Sequence, residues 1–486
     1  MHSSRRETLL AILLGLATAL RILSLGEHSL WIDEAASVAV ARLGWQALID
    51  FFFRVETNMA LYYVLLHLWL SLGDSEVALR ALSVIPAVAT IPVIYALGAR
   101  LFGKRVGLLG ALVLTLNAFH INHAQEARSY PLLLLLVTLA SLMFVKALDQ
   151  PSRRNWIGYT LFAVLAVYSH LFGVLVPISH WASLGFRAGR VPWRSVIWSA
   201  LAIGVFLLPI GVAFLTRGAF QLGWYTRQPS ALSIVRVLYI LSGGVLALSA
   251  YGVASLLAVV DAARTWRASW GSPKAWAYGF VHAWLIVPLA ITFAVSFVTP
   301  LFISRYLSVC LPAIVLVVAV GIMQIRPARA LAAALVVFLA LSAWSLRRYY
   351  AEPEVENWRE ATRYVLGQAR DDDAVVFYVA HLRPAYEYYR DRLHGTPGGP
   401  AVVFPPSQLA AGVPESGFER APGVDLLGQV TARHARVWLI LSHDGIVGLG
   451  RDVRSRALQE FLARRYAGMA ERRFTGIRVL LYSRNP

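Results

Sequence analysis

The sequence predicts a mainly helical, polytopic membrane protein with a small α/β domain at its carboxyl end. Three observations carry that expectation. Of 486 residues, 58% are hydrophobic and only 15% charged, with a mean hydropathy of +0.59, far from a water-soluble domain. Apolar runs close to spanning length, about 17–25 residues, recur from Leu9 to Trp344 between short polar breaks. After Trp344 the chain turns to Pro, Gly and charge, with short strand-like runs.

The runs number about eleven. The first, Leu9–Leu25, follows Arg5 and Arg6 and has no small-residue cleavage site after it, so it reads as a retained anchor. The others are Val77–Leu97, Val106–Ala124, Pro131–Leu148, Trp156–His170, Leu171–Phe186, Ser195–Leu215, Ile234–Val260, Trp276–Val298, Leu307–Met323 and Ala330–Trp344. Arg5 and Arg6, Arg100 with Lys104 and Arg105, Lys146 with Arg153 and Arg154, Arg187 with Arg190, Arg264 with Arg267 and Lys274, and Arg326 with Arg329 fall on alternate loops. The positive-inside rule makes those loops cytoplasmic. The amino terminus is then inside, and Gly26–Glu76, Gln125–Tyr130 and the tail are outside. The expected division is a transmembrane domain over 1–346, including the outer loop 26–76, and an extracytoplasmic domain over 347–486, in a multi-pass protein of the plasma (inner) membrane.

The net charge of +18 is largely explained by these loops and the tail. No helix-turn-helix, zinc-finger or ribonucleoprotein motif accompanies it, which argues against nucleic acid as a partner. A single cysteine, Cys310, excludes an intrachain disulfide and a cysteine zinc site.

Within the outer loop, Trp45–Leu72 interleaves aromatic residues with Arg54, Glu56 and His67, the pattern of interfacial helices; a span at Leu61–Leu72 would be too short. In the tail, Ala374–Ala380, Val437–Ser442 and Ile477–Ser483 read as strands, Arg451–Tyr466 as a helix, and Gly395–Gly423 as a Gly/Pro-rich loop. The run Asp371-Asp372-Asp373 reads as a solvated turn rather than a metal site.

Two polar clusters stand out on the same expected side: Asp33-Glu34, and His123 to Tyr130 with Glu126 and Arg128. Asp33 has two readings, as the cap of a helix Glu34–Leu43 or as a catalytic acid. Adjacent helical residues point about 100° apart, so Asp33 and Glu34 have different tasks. Glu126 and Arg128 are two apart and do not face each other as a helical pair, and Pro131 fits the first turn of the next span. Arg305, in the outer turn before Tyr306, runs against the positive-inside rule and so answers to an anion, an internal acid or a phosphate. His170 is a weaker candidate, while His67, Tyr62 and Tyr63 read as packing or lipid-interface groups.

Leu30-Trp31-Ile32-Asp33-Glu34, Leu61-Tyr62-Tyr63, Leu79-Arg80-Ala81-Leu82, Phe119–Tyr130, Ser304-Arg305-Tyr306-Leu307 with Leu311-Pro312, and Asn357-Trp358-Arg359-Glu360-Ala361 together resemble the bacterial relatives of protein O-mannosyltransferases (glycosyltransferase family 39, ArnT-like), membrane-embedded glycosyltransferases of the GT-C superfamily. One departure is Asn58-Met59-Ala60-Leu61, where many relatives have His-Pro-Pro-Leu. The resemblance implies the GT-C fold and an inverting transfer of a sugar from a polyprenyl-phosphate-linked donor to an acceptor hydroxyl on a glycan, lipid or protein. It implies Asp33 as general base, and Arg128 and Arg305 with Tyr306 at the donor phosphate. Glu34, Glu126 and His123 are then candidates for donor or acceptor binding or for a divalent cation, with the metal requirement open. The chain shows no convincing Gly-rich nucleotide fingerprint or P-loop, in keeping with a lipid donor. A membrane transporter or lipid flippase, and a non-catalytic assembly partner on the same fold, remain alternatives; the paired broken helices and repeated halves frequent in transporters are not visible.

Overall fold

The computed structural model describes residues 2–189, 191–217, 228–352, 355–394, 399–405, 424–443 and 451–484. The chain divides into two compact units. One comprises Met1–Leu25, Thr57–Leu65 and Val77–Glu352, the other Gly26–Glu56, Leu66–Glu76 and Pro353–Pro486.

The first unit is helical. Among the described residues, six helices are long and apolar enough to cross a membrane: Glu76–Phe102, Tyr130–Asp149, Trp193–Ala213, Val245–Ser269, Pro273–Val295 and Ala328–Ala351. A seventh span results if Lys104–Thr115 and Ala118–Ala124, bent by 60°, are taken together. The expected count of about eleven is therefore not reproduced by length and composition. Several of the expected runs also take other forms. The run Ile234–Val260 is two helices, Ala231–Ser242 and Val245–Ser269, because Gly243 and Gly244 take φ of 94° and 126°, values that favour glycine and end a helix. Leu171–Phe186 is a nine-residue α-helix, Leu175–Ser183, flanked by 3-10 turns. His2–Ile22 and Arg153–Ser169 are helical over 21 and 17 residues.

At the centre of this unit, every residue of Leu311–Ile322 is buried. A Cβ on Gly321 would fall 1.8 Å from the Ala254 carbonyl oxygen, so glycine lets this helix lie directly against Val245–Ser269. Cys310 is buried just before it.

The bend between Lys104–Thr115 and Ala118–Ala124 interrupts the backbone ladder at apolar depth, where unsatisfied carbonyls are costly. Arg21, wholly buried, answers it. Its Nη1 donates to the carbonyls of Ala17 (3.0 Å) and Thr115 (3.4 Å), and its Nη2 to Leu114 (3.2 Å) and His120 Nδ1 (2.6 Å). Asn117 caps the next helix: its Oδ1 accepts from the His120 amide at 2.8 Å and its Nδ2 donates to the Leu241 carbonyl at 2.9 Å. Past the bend, Gln125 Nε2 donates to the carbonyls of Arg21 and Leu23 and its Oε1 accepts from the Tyr349 hydroxyl at 2.6 Å.

The second unit combines helices with a five-stranded sheet. Its strands are β1 (Ala374–Phe377), β2 (Ala401–Phe404), β3 (Arg436–Ser442), β4 (Gly468–Phe474) and β5 (Ile477–Ser483), in the order β2-β1-β3-β5-β4. The first three are parallel neighbours; β5 runs antiparallel to both β3 and β4. Two strands are absent from the sequence reading. β4 is an edge strand of mostly exposed, charged residues, and edges carry little hydrophobic signal. β2 lies inside the stretch Gly395–Gly423 expected as a loop; of that stretch, 395–398 and 406–423 lie outside the described residues, as does Arg190. The expected helix Arg451–Tyr466 ends at Ala463. Asp373 is not part of a solvated turn: it is buried, and its Oδ2 accepts from the Arg370 amide at 3.1 Å and from Trp438 Nε1 at 2.8 Å. Asp371 and Asp372 are exposed. The helices Trp45–Arg54 and Ala60–Trp69 are ten residues each, about half of what a span needs.

Replacing Arg21 with Met fills the space but strips the bend of its donors. The expected result is a loss of about 2–4 kcal/mol in stability, several degrees of Tm in detergent, with Arg21→Lys falling between. A Tm within one degree of wild type, by about the resolution of such melts, would contradict the role given to Arg21.

Candidate active site

Asp33 and Glu34 belong to the second unit, on the helix Ile32–Ala41. The cap is not the one expected. The helix starts at Ile32 rather than Glu34, so Asp33 is its second residue, and it is Glu34 that reaches back, its Oε2 accepting the Trp31 amide at 3.3 Å. Glu34 is fully buried and Asp33 half-buried. Glu34 thus satisfies one amide at the helix end.

The stretch leading into this helix is fixed by residues 356–389. The Leu30 amide donates to the Tyr389 hydroxyl at 2.7 Å and the Ile32 amide to Glu356 Oε2 at 3.0 Å. Ser29 Oγ donates to the Glu356 carbonyl and accepts from the Trp358 amide at 3.1 Å. The segment Asn357-Trp358-Arg359, visible in the sequence only as a motif, thereby acquires physical roles. Asn357 caps its own helix through the Glu360 amide at 3.0 Å, and Trp358 Nε1 donates to Glu356 Oε2 at 2.6 Å. Arg359 gathers the carbonyls of Gly26, Glu27 and His28 together with the Glu76 carboxylate at 2.9 Å. Burial alone would lower the Arg359 pKa, but the Glu76 carboxylate outweighs it and holds the guanidinium above its ordinary value. Burial, with Glu76 beside it, raises the Tyr389 phenol, which stays protonated and donates to Glu76 at 3.1 Å.

His123, Glu126, Arg128, Arg305 and Tyr306 belong to the first unit, which brings them together with His170. Aromatic and imidazole rings form a continuous row: Phe119 to His123 (4.1 Å between centroids), His123 to Tyr130 (5.0 Å), Tyr130 to His170 (5.6 Å) and His170 to Tyr306 (5.1 Å). The guanidinium of Arg128 lies 6.0 Å from the Tyr130 ring and that of Arg305 lies 5.8 Å from the Tyr306 ring. Both arginines act electrostatically on both His123 and His170, so two cations from segments far apart in sequence converge on one row of rings. Asn122 links its neighbours, donating to Glu126 Oε1 at 2.9 Å and standing 3.2 Å from His123 Nδ1.

The backbone around these groups is held in place. Ser83 Oγ donates to the Arg128 carbonyl at 2.9 Å and lies 3.2 Å from the Tyr62 hydroxyl, so Tyr62 serves packing and support as expected. Pro131 lies in the first turn of Tyr130–Asp149. Asn58, where many relatives carry histidine, accepts the Leu171 amide at 3.1 Å and so fixes the turn after His170. His67 Nδ1 donates to the Ala41 carbonyl at 2.8 Å with its ring on Trp45, a packing role. Among the described residues, no three His, Cys, Asp or Glu side chains group as metal ligands do. Sequence reasoning missed Asn122 and Glu356 and ranked His170 low. Glu356 directly precedes a motif, but nothing in the sequence signals that it is buried.

Residues 56–216 match the family model of dolichyl-phosphate-mannose-protein mannosyltransferases. No curated protein matches the chain. Among solved structures, ArnT from Cupriavidus metallidurans in the apo state is similar with a TM-score of 0.67 at 11% identity, over 98% of each chain. The same protein bound to undecaprenyl phosphate gives 0.65 at 12% identity, over 97% of each chain. The archaeal oligosaccharyltransferase AglB from Archaeoglobus fulgidus, in complex with an inhibitory peptide and a dolichol-phosphate, gives 0.58 at 11% identity, over 98% of this chain and 74% of that one. At these identities the structural likeness establishes the fold. The chain thus shares the fold of these membrane proteins along nearly its whole length, and its residues 56–216 match the mannosyltransferase family model.

Proposed function

We propose that the protein is an inverting glycosyltransferase that moves a hexose or pentose from a polyprenyl-phosphate-linked donor to the hydroxyl of an extracytoplasmic glycan, lipid or protein. The observation that carries this reading is the convergence of Arg128 and Arg305 on the Tyr130–His170–Tyr306 row within a helical membrane unit. Two half-buried guanidiniums beside one row of rings suit the phosphate of a lipid donor, which they can bind through charged hydrogen bonds. The undecaprenyl phosphate bound by ArnT and the dolichol-phosphate bound by AglB support a lipid donor of that chemistry.

In the proposed reaction Asp33 takes the proton of the acceptor hydroxyl, whose oxygen attacks the anomeric carbon opposite the phosphate. The bond from that carbon to the phosphate oxygen breaks, the configuration inverts, and polyprenyl phosphate leaves as an anion. Asp33 sits in the first turn of its helix and is half-buried. Arg128 and Arg305, with Tyr306, take up the charge that develops on the leaving phosphate. Glu126, held by Asn122, and His123 orient the sugar or the acceptor. Glu34 serves stability. The proposed topology keeps the amino terminus cytoplasmic, with the transfer chemistry in 1–346 and an extracytoplasmic domain in 347–486.

Loss of a general base costs about 10²- to 10⁴-fold in kcat, so Asp33→Asn is expected to fall by that much in sugar transfer while binding polyprenyl phosphate within about threefold of wild type. Wild-type turnover in that variant would sink the assignment. Arg128→Ala and Arg305→Ala are each expected to weaken polyprenyl phosphate binding about ten- to a hundredfold in a direct titration, the loss of one charged hydrogen bond. Unchanged affinity in both would remove the phosphate site. Glu34→Ala is expected to cost about 1 kcal/mol of stability, seen as a lower Tm, and a larger loss of kcat than Asp33→Asn would reverse the two roles.

A further inference from the structure

We infer that Glu356 is a positioning residue for Asp33, holding the start of the Asp33 helix through one carboxylate oxygen; this rests on the reading of Asp33 as the general base. Glu356 is 1% exposed, and its carboxylate meets four donors. Oε2 accepts the Ile32 amide at 3.0 Å and Trp358 Nε1 at 2.6 Å; Oε1 accepts Ser442 Oγ at 3.2 Å and His443 Nε2 at 2.6 Å. Ile32 is the first residue of the helix and Asp33 the second. The early amides of a helix have no partner within it and must find acceptors. Here Glu34 takes Trp31 and Glu356 takes Ile32.

The four donors divide in a way that makes the idea testable. The Ile32 amide and the Trp358 indole can only donate, whereas serine and histidine donate or accept. Glutamine at 356 therefore satisfies the site in one orientation, with its carbonyl oxygen on Ile32 and Trp358 and its amide on Ser442 and His443. Alanine satisfies none of it. What the site needs is an acceptor of the right reach at Oε2, not a negative charge.

The test is hydrogen exchange of the full-length protein in detergent, read at residues 31–35, for Glu356→Ala, Glu356→Gln and Glu356→Asp, alongside turnover with undecaprenyl-phosphate-linked sugars. Glu356→Ala is expected to speed exchange there about tenfold or more while β3 amides keep their protection, and to lower kcat with polyprenyl phosphate affinity unchanged. Glu356→Gln is expected to match wild type in both. Glu356→Asp keeps the charge but withdraws the oxygen by one methylene, so its exchange is expected to rise by several fold; it decides the matter if the alanine variant is not recovered folded. Wild-type protection in Glu356→Ala or Glu356→Asp overturns the inference, as does a glutamine variant as loose as the alanine one. Asp33→Asn separates the two readings: it is expected to lose turnover with residues 31–35 fully protected. Full turnover in Asp33→Asn removes the general base, whereas its inactivity beside a tight, active Glu356→Ala removes only the positioning role.

Discussion

A helix broken within a membrane is stable only if something other than water satisfies its interrupted backbone, and the Arg21 guanidinium does this here. The consequence reaches well beyond the bend. Because Lys104–Thr115 is allowed to stop, the chain turns by 60° and runs through Ala118–Ala124 into the segment that carries Glu126, Arg128 and Tyr130. A straight span through the same residues would spread these groups around a helix. The charge of Arg21 is tolerated because each contact it makes replaces hydration with a carbonyl or imidazole acceptor. Gln125 and Asn117 extend the same logic, each using a side-chain amide to close backbone groups on neighbouring helices.

The second unit solves a different problem with similar means. Its loop before the Asp33 helix has little hydrophobic content of its own, and it is ordered by hydrogen bonds from Glu356, Trp358, Arg359 and Tyr389. A buried carboxylate, a half-buried guanidinium and a buried phenol, each answered by several partners, define one conformation where an apolar core would permit several. The arrangement gives the motif a structural role: Trp358 and Arg359 anchor residues 26–29, and Asn357 caps their helix.

Much of this was legible in the residues. Among the described residues, hydrophobic runs located the apolar helices of the membrane unit but not how they divide or how many are long enough to span, and the strand pattern located three of five strands. What escaped followed from physics that sequence spacing does not carry. Gly243 and Gly244 divided one apolar run because a positive φ interrupts a helix however hydrophobic its flanks are. β4 escaped because an exposed edge strand is charged, and Asp373 because two of the three consecutive acids are solvated and the third is not. The capping was half legible: an acid does serve the helix end, but it is Glu34 rather than Asp33, since the helix begins two residues earlier than its polarity suggests. The convergence of Arg128 and Arg305 on His170 is a tertiary event across some 177 positions of sequence that no local pattern contains.

The central claim is that this membrane protein consumes a polyprenyl-phosphate sugar rather than moving a lipid or solute. Purified protein in lipid vesicles, offered a panel of radiolabelled polyprenyl-phosphate sugars with membrane extract as acceptor, tests it most directly when bond cleavage and transbilayer flux are read in the same sample. Release or transfer of one sugar with stoichiometric polyprenyl phosphate, and no flux above empty vesicles, is the expected result. Flux of intact lipid-linked sugar without cleavage would contradict it and make the protein a transporter on a glycosyltransferase fold.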